Sequence, residues 1–308
     1  MTALTWRAGA RLHPLAVELV FSHSTLAGCY WPGHHGPSFS SAAKGKVLLI
    51  AVHGWLDNAY SFYPLAQCLE DIPLLAVDWP GHGLSPQRPP GYPLHFFDYI
   101  SDLKQIVDYC SSQFEQVIVV GHSLGALVTS TYAAVATESL AGVILLEGLV
   151  PMAEPSRCAK QRLASSLSSH ASPSEPKGYA SVAALAAARS KLTGLSSQWS
   201  YLLVERNTVE YAGKFYWRTD PRLKKDSPWR MTPEQRQQLL ANTDLPMLLV
   251  QGAQGYHQIT SQLSFAADWF PRLEQVTLPG DHHFHMSAAE QLAARIREFI
   301  TRQCQLAL

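Results

Sequence analysis

Three kinds of side chain in this sequence have the types and spacing to break an acyl bond. They are a serine set between glycines, a glutamate ending an apolar run, and histidines grouped further along. The serine is Ser123, in Gly121-His122-Ser123-Leu124-Gly125. A serine hydroxyl is a poor nucleophile until a base takes its proton. A histidine base in turn needs a carboxylate to fix its tautomer and stabilise its cation. The histidines lie in Gly280-Asp281-His282-His283-Phe284-His285-Met286, after a strand-like stretch. His282, the first in that loop, is assigned as the base, with His283 as the alternative. The carboxylate is assigned to Glu147, because an ionisable group between Leu146 and Gly148-Leu149 is costly unless a partner meets it.

These residues need elements that carry them to one place. Val117-Ile118-Val119-Val120 reads as a strand buried on both faces, and Ala126 to Val135 can run as a helix. A serine on the sharp turn between strand and helix is exposed at the strand's carboxyl end, with the helix N-terminus behind it. The flanking glycines then have a steric reason, since side chains there would strike the adjacent strand and helix. Other predicted strands are Ala16 to Phe21, Thr25 to Trp31, Val47 to Val52, Leu74 to Val77, Gly142 to Leu146, Pro246 to Gly252 and Leu273 to Leu278. Helices are predicted at Tyr60 to Leu69, Phe96 to Cys110 and Ser287 to Arg302. Between residues 151 and 243 the sequence is rich in Ala, Ser, Gln, Arg and Pro. There the pattern predicts helices at about 156–169, 179–190, 196–211 and 233–241, with a loop through Phe215-Tyr216-Trp217 to Pro221. Strands alternating with helices imply a mainly parallel, doubly wound sheet with this block inserted near its catalytic edge.

Composition narrows the function classes. The chain has 308 residues, enough for one large α/β domain with an insertion or for two domains. A 47% hydrophobic, 16% charged composition supports a sizeable core. A formal net charge of zero and the lack of any Lys/Arg run argue against a nucleic-acid partner. The five cysteines are widely spaced and form no Cys-x-x-Cys pair, which reads as reduced thiols of a cytoplasmic protein. Met1 to Arg7 holds no apolar leader-like run, and no stretch is long enough to span a membrane.

Tetrahedral acyl chemistry also needs backbone donors for an oxyanion. Leu124 N–H, after the serine, is one candidate. Trp55 N–H, in His53-Gly54-Trp55-Leu56-Asp57-Asn58 after the Val47 to Val52 strand, is the other. Asp57 and Asn58 read as turn and loop-holding residues.

Taken together, His53-Gly54-Trp55, Asp78-Trp79-Pro80-Gly81-His82-Gly83, Gly121-His122-Ser123-Leu124-Gly125 and Gly280-Asp281-His282 make the sequence resemble the α/β-hydrolase superfamily over nearly its whole length. The run His53 to Phe62 with His282 to Met286 is most similar to the serine-hydrolase-like (Kraken-type) branch. The resemblance implies an α/β-hydrolase core over residues 1–150 and 244–308 and a helical cap over 151–243. It also implies the chain order serine, acid, histidine. The superfamily's commonest acid position, after the penultimate strand, is here Gln251-Gly252-Ala253-Gln254-Gly255-Tyr256-His257 and carries no carboxylate. Glu147 instead matches the placement in haloalkane dehalogenases. Those enzymes use an aspartate where this chain has Ser123, which argues against their chemistry. The expectation is a cofactor-free serine hydrolase acting on small carboxylic esters. A thioester, lactone or C–C substrate, and a ligand-binding protein on the same fold, remain open alternatives. Trp199, Tyr201, Phe215, Tyr216 and Trp217 are candidates either for an acyl pocket or for packing within the cap.

Overall fold

The computed structural model describes residues 13–22, 24–33, 44–90, 93–171 and 176–304. Most of the Gly/Pro/Ser-rich stretch from Pro32 to Ser41, and the first twelve residues, lie outside them. In chain order the elements are β1 (Leu15–Val20), β2 (Thr25–Trp31), β3 (Gly45–Val52), α1 (Tyr63–Cys68), β4 (Leu74–Val77), α2 (Phe96–Ser111), β5 (Phe114–His122), α3 (Leu124–Ala133) and β6 (Gly142–Leu146). The insertion follows, with α4 (Ala159–Ala171), α5 (Val182–Thr193), α6 (Ser197–Glu205), β7 (Thr208–Tyr211), β8 (Lys214–Trp217) and α7 (Pro233–Leu240). The chain then returns to the sheet through β9 (Met247–Gly252), α8 (His257–Ala266), β10 (Leu273–Leu278), α9 (Phe284–Ser287) and α10 (Ala289–Arg302).

Among the described residues these strands form an eight-stranded sheet in the order β1-β2-β4-β3-β5-β6-β9-β10. The β1/β2 and β2/β4 pairings are antiparallel, and every pairing from β4 to β10 is parallel. Because side chains alternate along a strand, each apolar run divides between two cores. On β3, Leu48, Ile50 and Val52 face one layer, with α2 and α3, while Val47, Leu49 and Ala51 face the other, with α1 and α10. That division explains why the runs 47–52 of β3, 117–120 of β5, 143–146 of β6 and 247–250 of β9 are continuously apolar instead of alternating. The last helix buries Leu292, Ile296, Phe299 and Ile300, the stripe its spacing predicts.

The insertion departs from its predicted helical content. The helix expected over 196–211 ends at Glu205, and the expected loop through Phe215 is half of a β7–β8 hairpin. Ala212 and Gly213 between the strands both have positive φ, at 49° and 72°, as a two-residue hairpin turn demands. Thr208-Val209 and Phe215-Tyr216-Trp217 are β-formers, and that turn overrides the helical pattern. Phe215 and Trp217 pack against Leu185, Ala186 and Val204 in a small core belonging to the insertion. Trp199 packs with Leu195, Leu203 and Met286. Tyr201 is left largely exposed.

Candidate active site

The parallel strands end on one edge of the sheet, and the sequence-assigned residues gather there. Ser123 follows β5 with φ 50° and ψ −114°, a conformation that is strained for any residue with a Cβ. Its N–H donates to the Leu146 carbonyl at 2.8 Å, which holds the turn against the end of β6. Both flanking glycines are forced by close approach. A Cβ at Gly125 would come 2.1 Å from the Val52 carbonyl oxygen on β3, and one at Gly121 2.4 Å from the Gly125 oxygen in the first turn of α3. Leu124 begins α3, where the N–H has no intrahelical acceptor.

Glu147 follows β6 directly and also has positive φ, at 53°. The Glu147 side chain is fully buried, and His282 Nδ1 lies 3.2 Å from its Oε2. Oε1 accepts the Gly252 N–H at 2.6 Å and Oε2 the Tyr256 N–H at 3.0 Å. Burial would raise the Glu147 pKa, but the bond from His282 and the two N–H donors outweigh it. The carboxyl therefore sits below its ordinary value and is ionised at neutral pH. The loop after β9 thus has no acid of its own and instead cradles the acid of the neighbouring strand. Gly255 is what makes this possible, since a Cβ there would lie 2.1 Å from Glu147 Oε1. The same loop is tied to the histidine loop by Gln254 N–H to the Gly280 oxygen at 2.9 Å and Gly280 N–H to Gln254 Oε1 at 3.2 Å. The Tyr256 ring stacks on His282 with centroids 4.0 Å apart.

With Nδ1 of His282 committed to Glu147, Nε2 is the nitrogen left for a serine hydroxyl. The neighbouring His283 faces elsewhere, its Nε2 lying 3.3 Å from Asp57 Oδ2. The two histidines are therefore divided between two carboxylates, and Glu147 takes His282. The loop carrying Trp55 lies against the serine. A Cβ at Gly54 would be 3.1 Å from Ser123 Cβ and 2.9 Å from His122 Nδ1. Asn58 holds this loop as its type suggests, accepting the Tyr60 N–H at 3.0 Å and donating to the Leu203 oxygen of the insertion at 2.7 Å.

Asp57 does more than hold a turn. Its side chain is buried and pairs with Arg189 of α5 as well as with His283. Asp78, equally buried, pairs with Arg206 from the insertion and accepts the N–H groups of Ala59 and Leu84. Neither arginine is signalled by local spacing, because the partners are more than a hundred residues apart. The remaining hint is a carboxylate within an apolar neighbourhood, the cue that also marks Glu147. Among the described residues, no His/Cys/Asp/Glu group is arranged to hold a metal ion. No described helix is long and apolar enough to cross a membrane.

A mainly parallel sheet with a serine on a strained strand–helix turn and a carboxylate–histidine pair at the same edge defines the α/β-hydrolase class. The chain belongs to that family, whose model, described as the alpha/beta hydrolase fold, matches residues 47–289. The chain is 26% identical over 291 residues to a zebrafish (Danio rerio) protein called serine hydrolase-like protein, covering 90% of this chain and 86% of the relative. It is likewise 26% identical to human serine hydrolase-like protein 2, covering 88% and 91% of the two chains. Among solved structures, a hypothetical protein of Pseudomonas aeruginosa superimposes with a TM-score of 0.81 at 30% identity, covering 93% of this chain and 99% of the other.

Proposed function

We propose that this chain is a serine hydrolase of carboxylic esters working through an acyl-enzyme. The observation that carries the reading is the Glu147–His282 pair at 3.2 Å, beside a serine held at φ 50°. Ser123 Oγ attacks the acyl carbon while His282 Nε2 takes its proton. The imidazolium so formed is stabilised by ionised Glu147, whose own position is fixed by the Gly252 and Tyr256 N–H groups. The N–H groups of Leu124 and Trp55 receive the oxyanion, a contribution of about 10²–10³-fold for each donor. His282 then gives its proton to the departing alcohol. Water, deprotonated by His282, attacks the acyl carbon; as the Ser123–acyl bond breaks, His282 returns that proton to Ser123 Oγ and the acid leaves. The balance needs no cofactor. Residues 151–243 act as a cap on a core formed by residues 1–150 and 244–308, and size the acyl pocket.

Hydrolysis of p-nitrophenyl esters from acetate to decanoate by the wild type and by Ser123→Ala tests this. Serine-dependent turnover, with a chain-length optimum, is the expected result. Turnover that survives in Ser123→Ala would refute the nucleophile. Serine labelling by a fluorophosphonate without turnover of any ester would keep the nucleophile and overturn the ester assignment, favouring a lactone, thioester or C–C substrate or a retained ligand.

A further inference from the structure

Besides Glu147–His282, the site contains a second buried carboxylate–histidine couple that the chemistry above does not use. We propose that Asp57 is a positioning residue, which together with His122 pins the main chain of the histidine loop and makes that alignment depend on Arg189 of the insertion. The proposal rests on the serine-hydrolase reading, since it concerns how the base of that reaction is held.

The geometry runs in three directions from one carboxylate. Asp57 is 2% exposed. Its Oδ1 accepts from Arg189 Nη2, and Arg189 Nη1 donates to the Leu56 carbonyl at 3.0 Å, so one guanidinium clamps the loop at two points. Its Oδ2 faces His283 Nε2 at 3.3 Å. The same oxygen lies 3.6 Å from His122 Nδ1, beyond hydrogen-bond length. The other ring nitrogen of His122, Nε2, donates to the main-chain carbonyl of His282 at 2.9 Å. The loop is thus gripped twice, at the His282 carbonyl by the residue preceding the nucleophile and at the His283 ring by Asp57. Gly54 leaves the space for this junction, since a Cβ there would crowd His122 Nδ1 at 2.9 Å, Ser123 Cβ at 3.1 Å and Asp57 Oδ2 at 3.3 Å.

The charges are balanced across the two parts of the protein. Burial would raise the Asp57 pKa, but His283 and Arg189 hold it well below its ordinary value. His122 is pushed down to about 4 by burial and is neutral, which suits its single donor role to the His282 oxygen. The groups facing His283 are Asp57 from the β3 loop, Arg189 from α5, Asp281 from its own loop, and the rings of His122, His282 and His285. Of these, Arg189 is the permanent cation, and it comes from the insertion. Withdrawing α5 would leave a buried anion beside two histidine rings, His283 and His122, and free the loop that carries Trp55. Seating of the insertion and alignment of the base are therefore one event.

The test is the second-order rate at which a fluorophosphonate labels Ser123, together with kcat and KM for p-nitrophenyl butyrate, each from pH 5 to 9. The proteins are wild type, Asp57→Asn, Arg189→Met, Arg189→Lys, His283→Gln and the Asp57→Asn/Arg189→Met double variant. Labelling and kcat should fall about 10²-fold in Asp57→Asn, the loss expected from a misplacement of about 1 Å. KM should move little. Removing the anion should shift the acid limb of the profile to lower pH, and removing the cation should shift it to higher pH, a sign difference that mere loosening cannot produce. The double variant should lose no more than Asp57→Asn alone, and Arg189→Lys should recover part of the Arg189→Met loss. If Asp57→Asn does not fold, His283→Gln, at a partly exposed position, carries the same prediction for rate and kcat. Labelling at the wild-type rate with an unmoved pH profile in the folded variants would overturn the proposal and leave the hydrolase reading intact. A wild type whose Ser123 is not labelled would overturn both.

Discussion

A single methyl group placed on a loop with no carboxylate should disable this site if Glu147 is the relay acid. The perturbation is Gly255→Ala. Its Cβ would sit 2.1 Å from Glu147 Oε1 and 2.6 Å from Cδ and Oε2, where ordinary contacts begin near 3.4 Å. The carboxylate must therefore retreat by about 1.3 Å, or the loop must. Either movement stretches the 2.6 Å bond from Gly252 N–H and the 3.0 Å bond from Tyr256 N–H beyond useful length. It also carries Oε2 away from His282 Nδ1, now at 3.2 Å. Each charge-assisted bond lost is worth about 1.5–3 kcal/mol. Losing both N–H donors should therefore lower stability by about 3–6 kcal/mol, less whatever water recovers. Loss of the acid's support for His282 should lower kcat by about 10²–10⁴-fold, the upper value being that for a missing triad acid. Steady-state ester hydrolysis and urea unfolding on the same preparation read the two effects separately. A Gly255→Ala protein with near wild-type kcat would refute the assignment of Glu147, whatever its stability, because the geometry leaves no room for both the methyl and the present carboxylate.

Other expectations follow the same logic. Glu147→Gln should lower kcat by up to ~10⁴-fold with the fold retained by circular dichroism; near-normal turnover would place the acid elsewhere. His282→Ala should lose at least ~10³-fold in kcat and His283→Ala clearly less, and steady-state kinetics showing the reverse order would move the base by one position. The pH dependence of stability separates the two histidines further. Burial lowers the His283 pKa, but Asp57 more than offsets this and leaves it raised. Its stabilisation should be fully present below the unfolded value of about 6.5 and be lost as pH rises through the folded value. The Tm advantage of wild type over His283→Gln should therefore shrink from pH 6 to 9, and an advantage that grows with pH would contradict a charged Asp57–His283 pair.

Much of this arrangement is legible in the sequence because it is local. Gly121 and Ser123 meet their steric constraints within one strand–turn–helix unit, and Gly125 meets its own against the adjacent strand β3. Glu147 betrays itself as one charge within an apolar run. What stays hidden depends on distant pairings. No spacing rule joins Asp57 to Arg189 or His283, and a chain read in one dimension leaves Asp57 as a turn residue. The β7–β8 hairpin is masked for a different reason. Its strands are short and its turn, Ala212-Gly213, lacks the Asn-Gly or Asp-Gly signature that marks such turns. The loop after β9 looks like a gap in the catalytic pattern, and its role as a cradle rests on backbone N–H groups, which every sequence possesses and none displays.

The cradle has a consequence for how such a site can change. Strands β6 and β9 are neighbours, with Leu146 paired to Val250, and adjacent strands lie about 4.8 Å apart. A glutamate leaving one strand and a shorter acid leaving the other can therefore deliver a carboxylate to the same point beside His282. Occupancy of that point is exclusive, since the space a side chain at 255 would enter is the space Glu147 fills. Positions 147 and 255 thus behave as a single locus divided between two strands. Moving the acid from one to the other requires the receiving side to gain a carboxylate as the donating side gives one up, and either change alone leaves two claimants for one place or none.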